Sequence, residues 1–347
     1  MQFLTAAEAI SPALNRTVSL LFRPFRWGTY LKLCAVAVIT EGMSGNIHTP
    51  KSGVANHAPH ISNGMPSGFP GELIPLLIMG GLLALVVGIV VFYLVVRLRF
   101  ALFECLVHQT HEIKPGWRRY RDHAWRFFMF SIVVGILFLV VVAAALAPFA
   151  SPIIHFIHQS QAEGRVDFGR VFLFALQLAP VLLCLGLAGF LLDVVMRDFM
   201  LPHFALENAS AGEAWGAVWN RVAAEKGAFF LYVVLRVVLP ILAMIGMFIL
   251  LAIPLFIVFG ILGVFIALMH ASAAGGTPIG IFFEVMAGLI AFVLGVLITI
   301  SLGGPLSIAV RNYALVFYGA RYQVLGDALY PPMAPPAIAP APAPLPG

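Results

Sequence analysis

One apolar stretch decides the solvent in which this chain can fold. From Ala228 to Met269 the only charged residue is Arg236. Across the chain 61% of residues are hydrophobic and 10% are charged, whereas soluble domains carry about 25% charged residues. A soluble fold of this length could not bury so much apolar surface. The sequence therefore predicts an integral membrane protein.

The apolar segments predict the number of membrane crossings, because each crossing needs about 20 mainly apolar residues. The predicted crossings are a short one at 28–41 and longer ones at 73–96, 127–150, 171–196, 228–269 and 281–310. The stretch 228–269 is long enough for about two crossings. It either divides near Pro254 or crosses once and continues as a bent segment. We predict an all-α transmembrane helical bundle of about six spans, with eight as the alternative.

The basic residues predict the orientation, because Lys and Arg in short loops stay on the cytoplasmic side. The loop 97–126 holds seven of them, whereas the loops 42–71 and 151–170 together hold only Lys51, Arg165 and Arg170. Both termini are therefore predicted to be cytoplasmic. The net charge of +5 is explained by this orientation and does not indicate nucleic acid as a partner. The expected partners are the lipid bilayer and other membrane proteins.

Short amphipathic segments with Trp or Phe precede the apolar pairs, which is typical of helices lying in the membrane interface. An arginine and an aromatic residue close each pair, in Arg99-Phe100, Arg197-Asp198-Phe199 and Arg311-Asn312-Tyr313. We interpret these arginines as reaching lipid phosphate, and the pattern as three hairpin units or as anchors that any multi-pass protein needs. The predicted segments are a cytoplasmic N-terminus with an interfacial helix at 1–27, a transmembrane domain at 28–320 with units 11–100, 115–200 and 210–318, and a disordered Pro/Ala-rich tail at 331–347.

Ionisable residues inside apolar segments are the first candidate site residues, because burying a charge in a membrane is costly. Asp193 precedes Arg197 by four residues, which favours a local ion pair. Arg236 lies near the start of its segment and is expected to extend toward the interface. Glu284 has no local partner and is the candidate for transport or proton handling. Gln177, beside a proline in the fourth segment, could line a cavity.

A second group of candidates lies in the loop after the second apolar segment. Glu104, His108 and His111 would share one helix face, a spacing that could hold a metal, although a solvated polar face is the simpler interpretation. No phosphate-binding loop, H-E-x-x-H or G-x-S-x-G pattern occurs. We therefore predict no catalytic residue, no metal ligand and no cofactor.

Several motifs resemble a bacterial family of multi-pass membrane proteins of unknown function. They are Leu21-Phe22-Arg23-Pro24-Phe25, Arg97-x-Arg99-Phe100 with Trp117 and Phe127-Phe128, Arg197-Asp198-Phe199-x-x-Pro202, Ala214-Trp215 with Tyr232, and Arg311-x-Tyr313. Some members are loosely similar to the membrane domain of glycerophosphodiester phosphodiesterases. The resemblance implies a bacterial inner-membrane location. No phosphodiesterase domain is recognisable in the sequence, so that activity is not expected.

Three function classes follow from the sequence. A non-enzymatic membrane component or scaffold is favoured by the lack of catalytic patterns. A transporter or exporter of a small or lipidic substrate would need a cavity lined by polar groups such as Gln177 and Glu284. A lipid-directed membrane enzyme would need acids and histidines brought together, as Glu104, His108 and His111 could be.

Overall fold

The computed structural model describes residues 4–42, 73–163, 168–271 and 277–331. Within these ranges the regular structure is helical and no strand occurs, so the predicted all-α class is confirmed. The helices are α1 (Ile10–Phe22), α2 (Trp27–Gly42), α3 (Leu73–His108), α4 (Ile113–Arg119), α5 (Arg121–Glu163), α6 (Phe168–Val194), α7 (Leu201–Leu206), α8 (Ala211–Ala224), α9 (Lys226–Ala271), α10 (Pro278–Gly319) and α11 (Gln323–Leu329). A π-helical turn, Val195–Met200, joins α6 to α7.

Five helices are long and apolar enough to cross a membrane among the described residues. The candidate spans are Ile78–His108, Arg121–Pro152, Val171–Leu206, Lys226–Ile261 and Val285–Gly319. They coincide with the predicted crossings except the one at 28–41. The stretch from Ala228 to Met269 lies within the single helix α9 and does not divide at Pro254. Five long apolar helices agree with the predicted multi-pass membrane protein.

The predicted crossing at 28–41 falls in α2, which packs against the C-terminal part of α10 and is not among the candidate spans of the described residues. Tyr30 donates a hydrogen bond to the Ser301 carbonyl oxygen at 2.8 Å, and Glu41 lies 2.6 Å from Arg311. These pairs are 271 and 270 residues apart, so α2 and α10 run parallel at nearly constant register.

Each long helix has an exposed apolar half and a buried half. The apolar halves carry large side chains that no protein surface covers, such as Leu250, Phe256 and Leu183, which are 76%, 81% and 73% exposed. Such surface requires a lipid solvent. The other halves converge with α1, α2, α4, α7, α8 and α11 around a buried core. We call this packed region the basic end of the bundle.

Aromatic packing holds the basic end together. Phe100, Phe127, Phe199, Tyr232 and Phe317 are at most 2% exposed. The ring of Tyr232 stacks on that of Phe317 with centroids 4.5 Å apart, and Phe127 meets Phe204 edge-on at 5.3 Å. Buried aromatic rings of this kind supply much of the stabilisation of a core.

Both described ends of the chain lie at the basic end. The Arg16 guanidinium donates a hydrogen bond to the Leu329 carbonyl oxygen at 3.0 Å. Arg321 donates to the Leu4 carbonyl oxygen at 3.1 Å. Hydrogen bonds therefore join the N-terminal segment with α1 to the C-terminal segment with α11 on one side of the bundle.

The helices α1 and α8 place apolar side chains on the surface of the basic end. On α1 the face with Ala13 and Leu20 is buried, while Leu14 is 50% exposed. On α8 Val218 is buried while Trp219 is 62% exposed. A capping box starts α8, since the Ser210 side chain accepts from the Glu213 backbone N–H and the Glu213 carboxylate accepts from the Ser210 N–H. An amphipathic helix with exposed tryptophan is suited to a membrane interface.

Candidate functional site

Seven charged residues from five helices and the π-helical turn meet where the apolar halves join the basic end. We call them the charged cluster, and its members are Glu41, Arg99, Asp193, Arg197, Asp198, Arg236 and Arg311. Six of them are at most 8% exposed, and the Asp193 side chain is 28% exposed. Buried charges are costly unless they are paired, so the pairing within the cluster determines whether the bundle can close.

Glu41 at the end of α2 joins two of the arginines. Its Oε2 forms an ion pair with Arg197, and its Oε1 accepts from Nε of Arg311 at 2.6 Å. Arg197 also pairs with Asp193 at 3.1 Å, which is the i, i+4 ion pair predicted from the sequence. One carboxylate thus bridges two helices through their arginines.

Asp198 is the second carboxylate buried at the centre of the charged cluster. Its Oδ2 lies 3.0 Å from Nη1 of Arg236 and accepts a hydrogen bond from the Tyr232 hydroxyl at 2.8 Å. Its Oδ1 lies 3.5 Å from Nη1 of Arg311. Arg236 therefore does not extend to the interface as expected, because Asp198 from the neighbouring helix pairs with it inside the protein.

The π-helical turn contains consecutive residues of opposite charge that are both buried. Every residue from Met196 to Met200 is buried, including Arg197 and Asp198. The following residues of α7, from Leu201 to Ala205, are buried as well, because the basic end surrounds this whole segment. A π-helical turn widens the backbone locally, and such turns are common at functional sites.

The arginines of the charged cluster outnumber its carboxylates. Among the described residues four arginines face three carboxylates, which leaves one positive charge in excess in surroundings of low dielectric. Within the same residues, Nε of Arg197 and Nη2 of Arg311 have no hydrogen-bond acceptor. A guanidinium group that has no matching carboxylate and still has free N–H donors is well suited to bind an anion.

A crevice of about 210 Å³ between α3, α5 and α6 reaches the charged cluster from the apolar halves. Its floor includes Arg99, Arg197 and Asp193, with Ser131 beside them. Its walls are mainly apolar, and Val134, Gly135, Phe138 and Gly189 line the part that lies farther along α5 and α6 from the charged residues. Because these residues belong to the apolar halves, the crevice opens toward the lipid.

A second polar group lies within the basic end, around His203 of α7. Its Nδ1 lies 3.0 Å from the Glu207 carboxylate and its Nε2 lies 2.8 Å from the Tyr318 hydroxyl. Burial opposes ionisation of Glu207, but the hydrogen bonds with His203 and Tyr322 and the nearby positive charge of Arg221 together outweigh it and lower the pKa of the carboxyl. His203 is 1% exposed, and both of its ring nitrogens have hydrogen-bond partners within the core.

Two members of the charged cluster, Asp193 and Arg236, are among the site residues predicted from the sequence. Three others, Arg99, Arg197 and Arg311, were interpreted as lipid-facing anchors, and Glu41 and Asp198 were not predicted. The repeated arginine–aromatic pattern was the available signal. Arg197 and Arg311 are held inside the protein because Glu41 and Asp198 offer them carboxylates there.

The remaining predicted residues lie elsewhere. Gln177 is exposed on the apolar half of α6 and lines neither described cavity. The backbone of Glu284 belongs to α10, but its side chain lies outside the described residues. The tail at 332–347 also lies outside them. The three hairpin units remain a prediction.

Of the predicted group, Glu104 and His108 do share one face of α3, with Oε2 and Nε2 3.6 Å apart, but His111 does not join them. The helix α3 ends at His108, and Gln109 adopts a positive φ of 52° that turns the chain away. His111 Nε2 then lies 2.9 Å from the Leu20 carbonyl oxygen. Glu104 instead accepts hydrogen bonds from Arg119 at 3.0 Å and from Tyr120 at 2.8 Å. Burial and this carboxylate together raise the pKa of Tyr120.

Comparison with known proteins places the chain in a family. The model of DUF7544, a family of unknown function, matches residues 4–327. The chain belongs to this family. The DUF7544 match runs from the residues before α1 into α11, so it contains every member of the charged cluster. No curated protein and no solved structure matches the chain.

Proposed function

We propose that this DUF7544 protein is a non-enzymatic membrane component that binds an anionic amphiphile in the crevice between α3, α5 and α6. The observation that carries the proposal is the combination of apolar walls with an arginine floor. A lipid phosphate would reach Arg99 and Arg197, while its hydrocarbon would follow the apolar walls toward the bilayer.

The size of the crevice supports a headgroup rather than a whole lipid. Pockets for small molecules usually measure about 300–1,000 Å³. A crevice of about 210 Å³ is smaller, so it suits a headgroup and the first part of a chain. The rest of the hydrocarbon would stay in the bilayer, which requires the lateral opening beside Gly135 and Phe138.

The charges of the crevice support an anion. Arg99 and Arg197 lie on its floor with Asp193, and the charged cluster behind them carries the excess positive charge. Charge-assisted hydrogen bonds from arginine to phosphate are about twice as strong as neutral ones. Asp193 would disfavour a ligand with a second negative group at its side of the floor, which gives the site selectivity.

Filling the crevice is expected to abolish amphiphile binding without disturbing the charged cluster. Gly135 lines the crevice and a Cβ there meets no atom within 4 Å, so Gly135→Leu adds bulk at the crevice without a clash in the protein. We expect the affinity of the detergent-solubilised protein for fluorescent phosphatidic acid to fall about tenfold or more. Gly186→Leu is the matched control, since Gly186 is equally open on α6 but does not line the crevice.

Two further binding measurements identify the class of ligand. Phosphatidylcholine of the same chain length should bind more weakly than phosphatidic acid, and inorganic phosphate should not compete at equal concentration. Equal binding of phosphatidic acid by the unchanged protein and both leucine variants would refute the proposal. Competition by inorganic phosphate would assign the crevice to a water-soluble anion instead.

We further propose that the basic end faces the cytoplasm of a bacterial inner membrane, with bilayer lipids and membrane proteins as partners and no nucleic acid. The arginine distribution and the shared position of both chain ends support this orientation. Fusions of green fluorescent protein and of alkaline phosphatase after Gly347 and in the loop at 109–112 test it. Fluorescent, phosphatase-inactive fusions are expected at both places, and phosphatase activity at 109–112 would refute the orientation.

A further inference from the structure

A second, smaller cavity lies on the other side of the charged cluster, toward the basic end. Arg99, Arg197, Arg311 and Asp198 contribute its polar wall, and the remaining wall is apolar, with Leu102 and Ala314 among its members. Its volume is about 20 Å³. A cavity needs about 10–15 Å³ of space open to the centre of a water-sized sphere to hold one water molecule. The space therefore fits one species of that size and excludes a lipid headgroup.

The wall of this cavity supplies positive charge and unused donors. Its three arginines are each at least nine-tenths buried. Nε of Arg197 and Nη2 of Arg311 have no acceptor among the described residues. Glu41 already separates the guanidinium groups of Arg197 and Arg311, so it is their two unused donors that an anion in the cavity would bond.

Asp198 is the one carboxylate in this wall, and it already has partners. Arg236 lies 3.0 Å from its Oδ2 and the Tyr232 hydroxyl donates to the same oxygen. Glu41 pairs with Arg197 and Arg311 but does not line the cavity. No carboxylate among the described residues therefore reaches the two unused donors of Arg197 and Arg311.

We infer that this cavity binds a single monatomic anion of the chloride class, which accepts hydrogen bonds from the unused donors of Arg197 and Arg311. The cavity shares Arg99 and Arg197 with the crevice but lies on the other side of the charged cluster, and the inference does not depend on a lipid entering the crevice. The anion would hold the arginine-bearing ends of α3, α10 and the π-helical turn together, and its loss would loosen the basic end.

Halide-dependent stability tests this inference on the full-length protein in a neutral detergent. We expect chloride or bromide to raise Tm saturably, by about 2–4 °C, relative to gluconate at equal ionic strength. Anomalous scattering from a bromide-soaked crystal should place the ion among Arg99, Arg197 and Arg311. Equal Tm in chloride and gluconate, or bromide absent from the cavity, would overturn the inference.

A cavity-filling variant provides the matched comparison. Ala314→Val fills the space without removing a charge, whereas Ala309→Val makes the same change on α10 away from the cavity. The halide shift in Tm should vanish in the first variant and persist in the second. If Ala314→Val does not fold, the halide titration and the bromide position in the unchanged protein still decide the question. Gly135→Leu should keep the halide shift, which separates this site from amphiphile binding.

Discussion

Replacing Asp198 with asparagine should lower the free energy of unfolding by about 3–5 kcal/mol. The substitution keeps the shape and the hydrogen bond from Tyr232 but removes the charge that faces Arg236 and Arg311. Both arginines are at most 7% exposed, so water cannot take over the role of the carboxylate. Chemical unfolding of the detergent-solubilised protein would measure the loss.

A control variant and a double variant show whether the loss in Asp198→Asn comes from the missing charge. Asp122→Asn makes the same change on an exposed residue of α5 and should cost little. The double variant Asp198→Asn with Arg236→Gln removes both members of a pair and should recover part of the loss. If Asp198→Asn lowers the free energy of unfolding no more than Asp122→Asn does, the charged cluster does not stabilise the helical bundle.

Gly304→Ala should destabilise the protein by about 3 kcal/mol, the upper range for overpacking a core. A Cβ at this position would lie 2.2 Å from Cβ and 2.6 Å from the backbone Cα of Cys34. A backbone atom cannot move aside as a side chain can, so α2 would have to separate from α10. That separation would also draw Glu41 away from Arg311.

The adjacent glycine is a close control for this effect. A Cβ at Gly303 would meet only Cγ2 of Val38, at an ordinary 3.6 Å. Since alanine favours a helix over glycine by about 1 kcal/mol, Gly303→Ala should be neutral or slightly stabilising. The thermal unfolding of both variants can be compared in one detergent. Equal destabilisation by the two would show that the α2–α10 contact is looser than the structure indicates.

The long spans were predictable because each carries its own signal. The helices α9 and α6 are each apolar over a length that exceeds the thickness of the hydrocarbon layer. This property depends on the local sequence alone and on no distant residue. The capping box of α8 was equally local, since Ser210 and Glu213 are three residues apart. Local rules suffice wherever both partners lie within one turn of helix.

The charged cluster was only half predictable for the opposite reason. The pair Asp193–Arg197 follows from i, i+4 spacing. Glu41 and Arg311 are 270 residues apart, and no periodicity links them. The composition of α2 resembles that of a short span, so its packing against α10 could not be anticipated. The interpretation of the arginines as lipid anchors failed because it took no account of carboxylates delivered by other helices.

The contact between α2 and α10 sets a delay in biosynthesis. Glu41 leaves the ribosome 270 residues before Arg311, which at about 5–20 residues per second is a wait of roughly 15–50 s. During this interval α2 has no α10 to pack against, and the three carboxylates of the charged cluster have been synthesised while Arg311 has not. The basic end can therefore close only after translation of the last long helix, so assembly of this protein is late and nearly all at once.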